Sequence, residues 1–319
     1  MAIWQTGVVC MSILLSSPLQ ASELQAAEAK DTDPAPRILM LEPLNDQHAV
    51  ASQGVAQLAN WLDSFFASDL VFDESQKSQL KLNLLQITEE GNKPKYEVRL
   101  QGKLTLPHTQ ERMNLLFESD PEENNGPDNS VIGAVESTEQ SLGLRYIQYS
   151  SKWFRAHTDA GIRFHSGLDT FVRFRLRGLY TTGDWQFRAA ETLFWRDSTG
   201  PGETSQLDIE RRIREDYLIR STSQATWLDE TQQFDMGQDF YLIHNISKYR
   251  GIIYRTGLTA ISEPDVHTTA YILSVRLRQQ IHRDWLFFEI NPKIVYPEEE
   301  HFQARHSLTF KLEIVFGGI

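Results

Sequence analysis

A stretch of alternating residues from Phe171 to Trp195 constrains the fold of this chain more than any other feature. In its first half, apolar residues and one glycine occupy even positions, while Arg173, Arg175 and Arg177 occupy odd positions. Side chains alternate across a β-strand, so one face of this segment is apolar and the other carries three cations. A turn at Thr181–Asp184 separates this segment from a second alternating one. The stretch therefore predicts a hairpin of two long strands, with one apolar face and one polar face.

The same period of two recurs along the chain and predicts fourteen strands. Three precede an acidic loop at residues 119–138 and eleven follow it, and twelve is the alternative if the first hairpin folds outside the wall. The three early candidates lie near residues 80–84, 96–106 and 113–117. The later ones centre on Leu144, Ala160, Phe174, Ala190, Ile209, Ser223, Phe240, Tyr254, Val275, Ile290 and Leu312.

Aromatic residues mark both ends of these segments. Five sit at positions 153, 185, 217, 249 and 285, so successive steps are 32, 32, 32 and 36 residues. Ten strand residues at about 3.3 Å rise and a tilt of about 40° climb about 25 Å, the height of the apolar band of a membrane barrel. We therefore expect two interfacial girdles. Their predicted members are Trp153, Trp185, Trp195, Tyr217, Trp227, Tyr249, Trp285 and Tyr296.

The last strand alternates from Leu308 to Phe316 and ends close to an aromatic residue, although Gly317, Gly318 and Ile319 follow it. Together with the girdles, this strand resembles those of bacterial outer-membrane β-barrel proteins. The resemblance covers residues 79–319 and implies an all-β, antiparallel up-and-down transmembrane barrel in the cell outer membrane with both termini in the periplasm. It also implies outer-membrane lipids and the barrel assembly machinery as partners.

The segments before the barrel have a different composition. Residues 1–21 carry no charged side chain and have an apolar centre, which predicts a signal peptide containing the single cysteine, Cys10. Residues 22–78 are expected to be a periplasmic arm with an amphipathic helix at about 46–67. Its stripe consists of Leu58, Trp61, Leu62, Phe65 and Phe66. The stripe could lie against the protein, on the inner leaflet, or in the barrel mouth as a plug.

If the apolar parity faces lipid, the opposite parity faces the lumen. Mixed charges there fit either ion-pair ladders in a partly filled lumen or a wet pore whose arginines favour anions. Glu191 and Arg211 fall on the lipid parity, so we expect a bulge or a register shift near them. The predicted lumen-lining residues are Arg173, Arg175, Arg177, Arg188, Arg212, Arg214, Arg276, Arg278, Glu289, Lys293, Lys311 and Glu313, and Asp208 and Glu210 have the same parity.

Composition narrows the classes of function. A formal net charge of −12 argues against nucleic-acid binding. The histidines lack the spacing of a metal site and form no evident Ser–His pair, so we expect no cofactor, no metal and no catalytic residue. The sequence predicts a non-enzymatic, porin-like barrel, either a narrow channel for small, anionic solutes or a structural barrel with a filled lumen. A lipid-directed enzyme acting on phospholipid or lipid A is the alternative, and a soluble periplasmic β protein is a third class.

Overall fold

The chain folds into a closed barrel of fourteen antiparallel strands in a computed structural model. The structure describes residues 78–106, 112–119, 140–164, 167–282 and 285–317. The predicted signal peptide, arm and amphipathic helix lie outside these residues. The strands are β1 (Gln79–Glu89), β2 (Lys95–Thr105), β3 (Met113–Ser119), β4 (Gln140–Ser150), β5 (Phe154–Phe164), β6 (Leu168–Thr182), β7 (Trp185–Arg196), β8 (Gly200–Arg212), β9 (Tyr217–Leu228), β10 (Gln233–Ser247), β11 (Arg250–Ile261), β12 (His267–His282), β13 (Leu286–Pro297) and β14 (Arg305–Gly317).

Each strand pairs with its neighbours in sequence, and β1 pairs with β14 to close the barrel. The predicted count of fourteen strands and the up-and-down topology are confirmed. Gln79 and Gly317 are Cα partners in that closing pair, so both ends of the barrel segment lie at one rim. We call this rim the short-turn end, because β6 and β7 are joined there by residues 183–184 and β10 and β11 by residues 248–249.

The opposite rim, the loop end, carries the sequence connection from residue 120 to 139. A 3-10 turn at Glu298–Glu300 also lies at this rim, between β13 and β14. The sequence predicts a long loop at Asp197–Thr204, and this prediction is wrong from Gly200 onward. Gly200 has φ 72°, a conformation that glycine adopts without steric cost, and it starts β8 immediately after a short connection.

The two faces of the barrel wall differ in polarity as the alternation predicts. Outward residues such as Leu144, Val172 and Tyr254 are exposed, whereas the charged residues Arg145 and Asp159 on the opposite face are buried. An apolar exterior around a polar interior is the architecture of transmembrane barrels of the outer-membrane class. Among the described residues, no helix combines the length and apolar character needed to cross a membrane.

One apolar cluster departs from the polar interior. Its side chains are buried and project inward from β9, β10, β11, β13 and β14, within a few residues of the short-turn end. We call it the apolar collar. Its members are Leu218, Tyr241, Ile243, Ile253, Phe287 and Val315.

Candidate functional site: the inner wall

The inner wall is organised into ion-pair clusters, and the first joins β3, β4, β5 and β6. Arg145 donates to both oxygens of Asp159, with distances of 2.7 Å and 2.9 Å. Arg173 donates to Asp159 Oδ2 at 2.8 Å and lies 4.0 Å from Glu118. Both arginines are Cα partners of Asp159 on neighbouring strands. One fully buried carboxylate thus links three strands of the wall.

A second cluster joins β7, β8 and β9. Glu210 is fully buried and accepts a hydrogen bond from Arg220 Nε at 2.7 Å and another from Arg188 Nη2 at 3.2 Å. On the same strand, Asp208 accepts a hydrogen bond from the Thr222 hydroxyl at 2.7 Å. The carboxylates of β8 therefore connect to both of its neighbours.

The third group of ion pairs lies on β10 to β14. Arg278 donates to Glu289 and, at 2.6 Å, to Glu313, and Lys311 Nζ lies 2.8 Å from Glu289. Arg255 donates to both oxygens of Asp239 at 2.7 Å and 3.0 Å. Charged hydrogen bonds of this kind are stronger than neutral ones, and pairing offsets the cost of removing each charge from water. These contacts correspond to the ion-pair ladders that the mixed charges predict.

Cations concentrate on one sector of the wall. Arg155, Arg175, Arg177 and Arg188 occupy inward positions on β5, β6 and β7, and we call them the arginine patch. Arg155 and Arg177 are direct Cα partners, and Arg175 faces His157 on one side and Thr192 on the other. Within the described register, Asp208, opposite Arg188, is the one acid among the Cα partners of the four. Arg155 and Arg177, placed directly opposite each other on neighbouring strands, give this sector a local concentration of positive charge.

The structure places most of the predicted lumen residues on inward positions. Arg214 is different: it lies in the turn after β8 and is exposed, so its prediction as a wall residue is wrong. The alternating sequence pattern continues to Arg214, but β8 ends at Arg212. The remaining predicted residues have inward parity: Arg173, Arg175, Arg177, Arg188, Arg212, Arg276, Arg278, Glu289, Lys293, Lys311 and Glu313.

The predicted set of lumen-lining residues omits several buried charges of the wall. They lie on β1 to β5 and on β9 to β11, at the inward positions that the alternation gives for those strands. The missed residues are Lys81, Lys103, Glu118, Arg145, Asp159, Arg163, Arg220, Asp239 and Arg255.

The aromatic residues predicted as girdles lie at strand ends. The ones at the short-turn end are Trp153, Trp185, Tyr217, Tyr249 and Trp285, and those at the loop end are Trp195, Trp227 and Tyr296. At the short-turn end, the Arg211 guanidinium lies 5.0 Å from the ring centre of Trp185, and the Lys248 ammonium lies 4.6 Å from that of Tyr249. Aromatic rings beside cations are suited to the headgroup level of a bilayer.

The described histidines are dispersed. His157 is buried with Nε2 3.9 Å from Asp159, His244 stacks on Tyr217 at 4.2 Å between ring centres, and His306 pairs with Glu90 at 2.7 Å at the loop end. None of these contacts includes a serine hydroxyl. Within the part of the chain that the structure describes, no group of three His, Cys, Asp or Glu side chains is arranged to hold a metal ion.

Comparisons with known proteins add the following. No protein-family model matches this chain, and no curated protein matches it in sequence. Among solved structures, a loop L8 deletion mutant of OmpT, an outer membrane protein of Vibrio cholerae, is 10% identical with a TM-score of 0.48, over 75% of this chain and 98% of that chain. The outer membrane channel DcaP of Acinetobacter baumannii is 7% identical with a TM-score of 0.44, over 75% and 96%. The KdgM porin in complex with disordered oligogalacturonate is 6% identical with a TM-score of 0.38, over 74% and 99%. At these identities and scores, the solved structures give this chain neither a family nor a ligand.

Proposed function

We propose that the protein is a non-enzymatic outer-membrane barrel that provides a narrow passage for small anionic solutes. Its outward apolar residues contact outer-membrane lipids, the barrel assembly machinery inserts it, and the short-turn end faces the periplasm. The observation that carries the proposal is the arginine patch. Four cations at neighbouring inward positions, of which Arg188 is paired with Glu210, place an excess of positive charge at that level of the lumen and favour an anion over a cation there.

The distribution of charge between the interior and the whole chain also supports a preference for anions. The whole chain has a formal net charge of −12, yet most of the charged residues at half-buried inward positions are cations, such as Arg173, Arg177, Arg276, Lys293 and Lys311. A solute inside the lumen interacts with the wall rather than with distant loops, because salt screens charges beyond roughly 8–10 Å. The interior field is therefore opposite in sign to the net charge of the chain.

The experiment is a reversal-potential measurement in a planar bilayer with a KCl gradient. We expect steady conductance steps and a reversal potential whose sign reports a preference for chloride. The variant Arg155→Gln/Arg177→Gln should lower the chloride-to-potassium permeability ratio several-fold. The matched control Arg211→Gln removes an outward arginine and should leave the ratio unchanged. A cation preference in the wild type would refute the proposal.

A structural barrel with a filled lumen is the second candidate. The ion-pair clusters and the buried apolar collar favour it, because both exclude water from parts of the interior. This candidate predicts that the wild type inserts into the bilayer and gives no conductance steps. The lipid-directed enzyme remains an alternative with a direct assay: turnover of phospholipid or lipid A by purified wild type would favour it over both.

A further inference from the structure

The outer face of β9 to β11 differs from the rest of the exterior halfway between the two rims. Its outward mid-strand residues include Ser221 and Ser223 on β9, Gln238 on β10 and Thr256 on β11. Ser223 and Thr256 are exposed, and the other two are half-buried. We call these four residues the polar sector. On most other strands the corresponding outward positions are apolar, and they include Leu84, Leu100, Leu144, Phe174, Val275, Ile290 and Leu312.

The polar sector lies at the depth of the hydrocarbon. Ser221 and Ser223 are between Tyr217 and Trp227, the predicted girdle residues at the two ends of β9. Lipid tails offer neither a donor nor an acceptor to a hydroxyl or an amide. Polar side chains at this depth almost always face protein or a water-filled cavity. Since the lumen is on the other side of the wall, these side chains point to a protein partner within the membrane.

Hydrogen bonds within the wall use only part of the bonding capacity of the sector. Gln238 Nε2 donates to Ser221 Oγ at 3.0 Å, and the Ser223 hydroxyl donates to Gln238 Oε1 at 2.5 Å. An amide oxygen has two lone pairs, and a hydroxyl is both a donor and an acceptor. The wall therefore holds these groups in position and leaves them capacity for bonds to a second surface.

One large side chain lies among these short ones. Phe240 is the middle residue of β10, its Cα partners are Ser221 and Thr256, and its side chain is 54% exposed. Short side chains let two membrane-embedded surfaces approach closely. A ring beside such short residues fits the same hollow on an identical surface. The other exposed phenylalanines among the described residues lie at or next to strand ends or in a turn, and they are Phe154, Phe164, Phe234, Phe302 and Phe316.

The chemistry of this face suits a second copy of the same chain. No outward residue of β9 or β10, and none of β11 after Arg250, is Asp, Glu, Lys or Arg, so two copies bring no like charges together there. Serine and glutamine side chains both donate and accept, so each can pair with its own kind. A two-fold axis along the membrane normal makes each residue meet residues of its own depth.

We propose that the polar sector and Phe240 form the contact between two copies of this chain, related by a two-fold axis along the membrane normal. Phe240 of each copy packs on Ser221 and Ser223 of the other, and Gln238 forms hydrogen bonds across the contact. The contact lies on the outer face of the barrel, so the proposal does not depend on whether the lumen conducts.

The mass of the protein in density-matched detergent, measured by sedimentation equilibrium, tests the proposal. We expect two copies. The variant Ser221→Leu/Ser223→Leu should weaken association at least ten-fold, because it removes two hydroxyls and fills the hollow. Ala160→Leu is the matched control, since it enlarges a small, exposed outward residue in the middle of β5, and it should leave the association unchanged. Heat-modifiable migration verifies that each variant has folded.

Single cysteines identify the contacting face in phospholipid vesicles. With Cys10 replaced by serine, Ser223→Cys should form a disulfide between two copies under mild oxidation, seen as a product of doubled mass that reduction reverses. Leu144→Cys, at an outward mid-strand position on β4, should give at least ten-fold less of this product.

Three results would overturn the proposal. The first is a wild type that sediments as a single copy. The second is equal cross-linking at positions 144 and 223, or equal weakening by Ala160→Leu and by the serine variant, because either would show that no particular face makes the contact. The third is a mass of three copies, which requires contact between two different faces of the barrel.

Discussion

Replacing Asp159 by asparagine tests whether ion pairs hold the barrel wall together. The Asp159 carboxylate is fully buried and receives hydrogen bonds from Arg145 at 2.7 Å and 2.9 Å and from Arg173 at 2.8 Å and 3.1 Å. Asparagine keeps the shape but removes the negative charge, which leaves two guanidinium groups facing a neutral amide. Breaking a buried pair in this way costs about 3–5 kcal/mol. Arg173 retains some access to solvent, so we expect a loss of unfolding free energy near the lower value, about 3 kcal/mol.

The assay is urea unfolding of the barrel in phospholipid vesicles, followed by tryptophan fluorescence and by heat-modifiable migration. Glu300→Gln is the matched control, because the Glu300–Arg305 pair has a similar distance of 3.2 Å but both partners are more than 40% exposed. Exposed pairs contribute less than about 1 kcal/mol. Adding Arg145→Gln to the Asp159→Asn variant should recover part of the loss, since it removes one uncompensated cation. If Asp159→Asn costs no more than Glu300→Gln, water in the lumen screens the wall charges and the ladder explanation is wrong.

Three further substitutions test other parts of the wall by the same unfolding assay. Gly257→Ala should lower the unfolding free energy by about 1–3 kcal/mol, because a Cβ would lie 1.9 Å from a carboxylate oxygen of Asp239; Gly237→Ala, with nothing within 4 Å, should cost little. Leu144→Arg should cost about 2–4 kcal/mol if this mid-strand outward position faces hydrocarbon, and no loss would contradict a lipid-facing exterior. Glu191→Leu should raise the unfolding free energy by about 1–2 kcal/mol for the same reason, and a loss would show that the carboxylate has a structural role.

The strands could be predicted from sequence because their signal is local. In Leu144–Tyr146, as in residues 172–177, a charged side chain stands between two apolar ones, and the contrast between lipid and interior forces that spacing on most strands. The number of strands followed from repeating this test along the chain. The collar could not be found in this way, since Leu218 and Ile243 are apolar residues on the inward parity and blur the alternation of β9 and β10.

The pairing of the inner charges could not be read from the sequence, because it depends on register between strands. Asp159 meets Arg145 and Arg173 because the β4–β5 and β5–β6 registers place both opposite it. A register shift of two residues would keep every side chain on its face and still exchange these partners. Similarly, the direct opposition of Arg155 and Arg177 in the arginine patch requires the β5–β6 register. Alternation therefore gives the composition of the wall, and the hairpin connections and closure of the barrel fix its contacts.

Two charged residues on the outer face show that strand parity alone does not determine the free-energy cost of a charge there. The expectation of a bulge or a register shift at Glu191 and Arg211 is wrong: the register of β7 with β6 and β8 is continuous through both residues. Arg211 lies at the short-turn end over the ring of Trp185, where a bilayer has headgroups and an arginine costs little. Glu191 lies near mid-strand, and the Ser205 hydroxyl donates to it at 2.7 Å. The position of Arg211 at the strand end lowers the free-energy cost of its charge, and the hydrogen bond from Ser205 lowers that of Glu191. The strands can therefore keep their regular pairing through both residues.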